Sequence, residues 1–294
     1  MNMLYASLGI SKQAFHQYMN RQMVILSEQK QLLVLIYQIR EDHPTMGARD
    51  MYFKLNPESM GRDAFELFCK EEGLMSSTVR DFRRTTDSSG VVRFENKIEG
   101  LELTRIDHVW QSDITFYEVG GRFYYITFVI DGFSRRIVGH TVSQRLLTQH
   151  TTMPALKMAI SLRKRKKREE STLIIHSDGG GQYYSKDFRE LTNTYNITNS
   201  MCEYAWENGK AERLNGVIKN NYLRHRSIYS FDTLRQEVDR SVFLYNNDKP
   251  HIRLQRKTPI GFETQELKSN KQTVMPNPSD KSKGRIITVS VKGI

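Results

Sequence analysis

Trp110 to His140 reads WQSDITFYEVGGRFYYITFVIDGFSRRIVGH, and its glycines divide it into three strands. The first lies within residues 105–117 and carries Asp113 between side chains that prefer burial. Gly120-Gly121 makes a tight turn. FYYITFVI, Phe123 to Ile130, is apolar on both faces and suits a buried central strand. Asp131-Gly132 turns the chain again, and RRIVGHTV forms the third strand. Downstream come a helix from Thr148 to Leu162 and a short buried strand from Thr172 to His176. A helix from Ser185 to Tyr195, a short strand from Ile197 to Met201 and a long helix from Glu207 to Arg224 follow. The order βββαβαβα predicts an α/β fold with a mixed five-stranded sheet flanked by helices.

Upstream the pattern is helical. Residues 27–41, SEQKQLLVLIYQIRE, place Leu32, Leu35, Ile36 and Ile39 at helical spacing, with Ser27 as the expected cap and His43-Pro44 as the stop. A short helix follows Gly47, and another runs from Arg62 to Glu72 and stops at Gly73. ASLGISKQAFHQYM, Ala6 to Met19, has the rhythm of a helix-turn-helix: Gly9 closes one helix and Ser11 caps the next. An ordinary helical hairpin is the competing reading. Residues 76–98 are polar and aperiodic, contain Arg83-Arg84, and read as a linker able to track DNA phosphates. The expected organisation is a helix-turn-helix-like DNA-binding region (1–75), the linker (76–98), a sheet-based core (99–230), a helical segment (231–267) and a polar, extended tail (268–294).

The chain has 294 residues and a formal net charge of +11. Residues 99–143 hold 4 basic and 6 acidic side chains, whereas residues 144–228 hold 15 and 8. The surroundings of Asp113 are thus slightly acidic, as a cation site requires, and the positive charge lies downstream, where phosphates can be gripped. Two cysteines, Cys69 and Cys202, are too few for a disulfide or zinc framework. MNMLYASLGISKQ lacks the apolar core of a signal peptide. No apolar run approaches the ~20 residues of a membrane span. A cytosolic protein is expected.

Three carboxylates stand out. Asp113 is costly to bury without a partner, and no basic residue between Arg105 and Arg122 offers local pairing. Asp178 ends the strand IIHS and precedes three glycines, which free the backbone beside a ligand; an incidental Asp in a Gly-rich turn is the alternative. Glu212 lies on the long helix, sharing a face with Asn208 and Lys219, next to an apolar stripe of Ala211, Leu214 and Ile218. Glu207 competes for the metal role but lies about half a turn around the helix. Three such carboxylates suit two Mg²⁺ ions, with Mn²⁺ able to substitute, because hard oxygen ligands match a hard cation. At a separation of ~3.5–4 Å, one ion activates the nucleophile and the other stabilises the leaving oxygen. Lys219 suits a phosphate contact. RKRKKR, Arg163 to Arg168, is either a solvated loop or a non-specific DNA grip through Arg163, Lys164 and Arg165.

Together these residues resemble a known family. Residues 110–140 look like the first half of the catalytic core shared by DDE transposases and retroviral integrases. HSDGGGQYYSKDF is similar to its second Asp motif, and SMCEYAWENGKAERLNGVIK to its Glu helix, with Lys219 at the matching basic position. YNNDKPHIRLQRKTP, Tyr245 to Pro259, resembles the stretch after the core in insertion-sequence transposases. HPTMGAR and GRDAFELFCKEEGL resemble the upstream helical segment of the second-frame (OrfB) product in the third insertion-sequence family. The resemblance spans residues 40–262. It implies an RNase-H-like fold, with Asp113, Asp178 and Glu212 both catalytic and metal-binding. Asp131 sits in a family-like IDGFSR segment where it is not a ligand. The loop between Ser200 and Asn208 is shorter than usual for the family, and Met46 and Ala48 stand where aromatic residues are more usual.

Such enzymes cut a transposon end with water and then use the exposed 3′-OH to attack a second phosphodiester, on a DNA-circle, copy-out route. DNA contacts are expected from Lys219, Arg213, Asn208, Lys210, Arg163, Lys164, Arg165, Lys12, Arg83 and Arg84. Expected partners are double-stranded DNA at the ends and target, a second copy or higher oligomer, and a separate upstream-frame protein. No membrane partner is expected, and the expected location is the bacterial cytosol, at the nucleoid. Two other readings compete: a non-catalytic DNA-binding regulator derived from a transposase, and an RNA-directed ribonuclease of the same fold. The intact carboxylates oppose the first, and the helical DNA-binding elements oppose the second.

Overall fold

The computed structural model describes residue 9 and residues 11–76, 94–202 and 205–274. The described chain begins with a helical unit: α1 (Lys12–Asp42), α2 (Ala48–Leu55) and α3 (Arg62–Glu71). Ser11 caps α1 by accepting a hydrogen bond from Ala14 N at 3.1 Å. Ser27 was expected to start a helix but lies mid-helix, because no Gly or Pro interrupts the chain between Lys12 and Asp42. The first helix of the expected helix-turn-helix falls outside the described residues. Leu32, Ile36, Met51, Phe65 and Phe68 form the core of this unit.

Five strands follow: β1 (Val109–Val119), β2 (Arg122–Asp131), β3 (Ile137–Ser143), β4 (Leu173–Ser177) and β5 (Ile197–Met201). Their order is β3-β2-β1-β4-β5. The first three are antiparallel neighbours, and β4 and β5 add in parallel. This is the expected RNase-H-like sheet. Helices α4 (Thr152–Leu162) and α5 (Lys186–Thr194) cover one face, where Trp110, Val129, Leu156, Leu173 and Phe188 are buried. Helices α6 (Gly209–Asn221) and α7 (Phe231–Asn247) cover the other, over Ile126, Phe128 and Ile130. Strand β2 is therefore buried on both faces, as its unbroken apolar run requires. Each such side chain contributes about 1.5–3 kcal/mol. A Cβ on Gly139 would stand 2.1 Å from Ala155 O, so glycine lets α4 lie against β3.

Helix α4 begins at Thr152 rather than Thr148, because the residues before it form a turn in which Thr151 Oγ1 donates to Leu147 O at 2.8 Å. The long helix expected from Glu207 is broken: a 3-10 turn, Ala205–Asn208, precedes α6, and another, Leu223–His225, follows it. A last helix, α8 (Pro259–Val274), replaces the extended chain expected from Lys268, since no breaker occurs before Pro276. The remainder of the expected tail lies outside the described residues.

The helical unit is tied to the ends of α6 and α7 by polar contacts. His43 bonds Asp248 at 2.7 Å and the Tyr222 hydroxyl at 3.0 Å. Lys54 also pairs with Asp248, and Asp50 with Arg256. Among the described residues no helix is long and apolar enough to cross a membrane.

Candidate active site

Strands β1 and β4 run parallel with Ser112 opposite Ser177. The next residues, Asp113 and Asp178, therefore emerge side by side. Helix α6 packs Ala211, Leu214 and Ile218 against the sheet and so brings Glu212 to the same place. Burial, then the charges of Asp178 and Glu212, push the Asp113 carboxyl up to about 8. Burial also raises Asp178, and burial followed by Asp178 raises Glu212.

The hydrogen bonds these carboxylates accept come from neutral groups. Asn215 Nδ2 donates to Asp113 Oδ2 at 2.7 Å, Ile114 N to Asp113 Oδ1 at 2.9 Å, and Gly180 N to Asp178 Oδ1 at 3.2 Å. A Cβ on Gly180 would crowd Asp178 Oδ1 at 3.1 Å, so glycine allows this approach. Among the described residues no three His, Cys, Asp or Glu side chains are gathered tightly enough to hold one ion. The donors are all carboxylate oxygens, which suits a hard divalent cation.

Neighbouring polar groups hold the frame. Asn208, expected on DNA, is buried, and its Nδ2 donates to Ser112 O at 3.0 Å. It pins the 3-10 turn before α6 to β1 beside Asp113, so its amide nitrogen is engaged within the protein. Ser112 Oγ donates to Phe128 O at 2.8 Å and lies 2.9 Å from the Tyr183 hydroxyl. Sequence reasoning missed Asn215 and Tyr183. Asn215 had a legible signal: it lies four residues after Ala211, where α6 turns inward, and a buried amide needs a partner. Glu207 is felt at His176 and at Cys202, which also feels Asp178 and Asp113.

The residues expected on DNA divide. Lys219 Nζ lies over the Phe116 ring, 5.5 Å from its centroid. Arg213 is exposed, and Lys210 is half-buried. Arg163 is not free to grip DNA: it pairs with Asp107 at 2.9 Å and with Glu263, because the end of α4 meets α8 there. Arg165 donates to Tyr195 O at 3.0 Å and Ser171 O at 2.7 Å, which closes the loop before β4. Lys164 and Lys12 are exposed. Arg83 and Arg84 lie outside the described residues.

Two family models, both described as "Integrase core domain", match residues 104–205 and 195–259. Together they take in more than half of the chain. The chain belongs to the integrase-core family. It is 26% identical over 270 residues to the "Insertion element IS600 uncharacterized 31 kDa protein" of Shigella sonnei, covering 86% of this chain and 95% of that one. It is 27% identical over 203 residues to "Transposase InsF for insertion sequence IS3A" of Escherichia coli (strain K12), covering 67% and 69%. Among solved structures, the HTLV-2 integrase catalytic core domain in complex with magnesium is 25% identical with a TM-score of 0.43, over 53% of this chain and 96% of that one. This integrase-core protein is a DNA transposase, a DDE-type polynucleotidyl transferase.

Proposed function

We propose that Asp113, Asp178 and Glu212 are the carboxylates through which this transposase cuts its element's ends and joins them to new DNA. The observation that carries this reading is Asp113. Its carboxyl is held up to about 8 by burial and by the other two acids, and neutral donors alone fix it. Such a cluster favours a divalent cation, Mg²⁺ or Mn²⁺, bound by the three acids. When bound, the cation neutralises them and supplies the positive charge that activates the attacking oxygen and stabilises the leaving one.

The chain's own groups position the reactants. Asn215 and Ile114 N fix the Asp113 oxygens, and Gly180 N fixes Asp178. Lys219 and Arg213, on the helix of Glu212, are placed to hold phosphate oxygens. In the first step water attacks the phosphorus at the element's end, the P–O3′ bond breaks, and a 3′-OH is released. In the second that hydroxyl attacks a target phosphodiester in line, and the target's 3′ oxygen leaves. No side chain forms a covalent intermediate, so positioning and charge supply the catalysis.

The reading extends to the partners. Residues 1–75 form the end-recognition region, and two ends are joined by at least two protomers. The upstream-frame product of the same element assists them.

The test is transfer of a labelled element end into plasmid with Mg²⁺ or Mn²⁺, comparing wild type with Glu212→Gln. Metal-dependent joining by wild type alone is expected. Binding without joining in both, even with the upstream-frame product added, would leave a DNA-binding regulator in place of an enzyme.

A further inference from the structure

A second charged group lies beside the carboxylates and opposite to them in sign. Arg135 sits on the turn between β2 and β3, Lys210 and Arg213 on the first turns of α6, and Arg253 on the 3-10 turn Ile252–Leu254. We propose that these four cations form a subsite for a backbone phosphate of the DNA duplex, adjacent to the phosphate that reacts. The proposal rests on the transposase reading and deepens it.

The turn is built to present Arg135. Asp131 Oδ1 accepts from Phe133 N at 2.9 Å and Ser134 N at 2.7 Å, and Arg135 N donates to Asp131 O at 2.9 Å. Arg135 takes a left-handed φ of 62°. The Lys210 ammonium lies on the same turn, 3.6 Å from where a Cβ on Gly132 would stand. Burial, with Arg253 and Arg213 adding to it and Tyr245 and Asp131 opposing, holds the Arg135 guanidinium below its ordinary value.

Asp131 acts on Arg135 and Lys210 but makes no ion pair with either. Its Oδ1 is taken by the two backbone donors, and its Oδ2 accepts from Asp107 N at 2.6 Å. Among the described residues none of the four cations forms an ion pair or side-chain hydrogen bond. The contrast with the next residue is direct: Arg136 pairs with Glu263 at 2.7 Å. Two half-buried cations and two exposed ones, beside the single acid Asp131, carry excess positive charge and are matched by an anion that accepts several N–H bonds at once. A phosphodiester does this, and DNA is the phosphate source this enzyme handles.

The experiment measures binding of the full chain to a fluorescent duplex of its element's end across a series of KCl concentrations. Arg253→Gln changes an exposed residue, and Arg135→Asn keeps a side chain that tolerates the left-handed backbone. Each is expected to lower the slope of log affinity against log salt by about 1 and to weaken binding roughly fivefold. Lys157→Gln, exposed on α4, is expected to change neither. Limited acetylation, read by mass spectrometry, is expected to modify Lys210 less with duplex present than in the free protein. Wild-type salt slopes in both Arg variants, or equal Lys210 acetylation with and without duplex, would overturn the proposal. Glu212→Gln separates it from the catalytic reading: that variant is expected to lose joining while keeping the wild-type salt slope.

Discussion

Two acids, Glu263 on α8 and Asp113 on β1, are treated in opposite ways. Glu263 is 3% exposed, yet its surroundings are complete: Arg163 and Arg136 pair with it and Ser134 Oγ donates to it at 2.7 Å. Burial raises its carboxyl, but Arg163, Ser134 and Arg136 outweigh that and leave it below its ordinary value. Asp113 has two neutral donors and two acidic neighbours, and its carboxyl is pushed up to about 8. The first acid brings its cations from within the chain and locks α4, α8 and the β2–β3 turn together. The second leaves its charge open. The difference is the one expected between a structural acid and the catalytic one proposed above: the protein neutralises the former itself and leaves the latter to the reaction.

The strongest way to break this comparison is to neutralise each acid in turn. Asp113→Asn, Asp178→Asn and Glu212→Gln are expected to lower strand transfer on the order of a thousandfold or more. Asp113→Asn is expected to leave the melting temperature unchanged or higher, because it removes a repelled charge. A large loss of stability would place Asp113 among the structural acids.

Glu263→Gln is the mirror experiment. It leaves Arg163 and Arg136 without their acid and is expected to cost about 3–5 kcal/mol in urea unfolding. Because the folded carboxyl titrates below its ordinary 4.5, its stabilisation is fully present above that pH. It is lost as pH falls through the lower folded value. The gap between wild type and Glu263→Gln should therefore be widest near neutrality and close in acid; a gap independent of pH would remove the ion pairs as its cause.

Magnesium sharpens the same contrast. At a concentration a hundredfold above its dissociation constant it should stabilise the wild type by about 2.7 kcal/mol. Glu263→Gln should melt lower but keep that gain, and Asp113→Asn should lose it. An equal gain in all three proteins would mean that the ion binds elsewhere.

The succession of strands and the meeting of Asp113, Asp178 and Glu212 were legible because each depends on local pattern: alternation, glycine turns and acids at the ends of buried runs. What escaped the sequence depends on contacts distant along the chain. Arg163 looked like part of a solvated basic run, and only the arrival of Glu263, a hundred residues on, shows where its charge goes. Asn208 looked like a DNA contact because its helical face is shared with Glu212, but the sheet arrives first at Ser112 O. Ser27 shows the converse, since a favourable capping residue starts no helix where one already runs through it.

Asn215 gives the smallest and most discriminating test. Its Nδ2 donates to Asp113 Oδ2 at 2.7 Å, so it sets the carboxylate's orientation without carrying charge. It is buried beside the apolar stripe of α6, where an amide would not persist without a partner. Asn215→Ala frees the Asp113 carboxylate to rotate and should cost roughly 10–100-fold in metal affinity or in strand transfer. Raising the magnesium concentration should restore part of the lost rate, whereas it should restore none in Asp113→Asn. A rate loss in Asn215→Ala that saturating magnesium leaves unchanged would mean that the amide acts on the packing of α6 and not on the Asp113 oxygen.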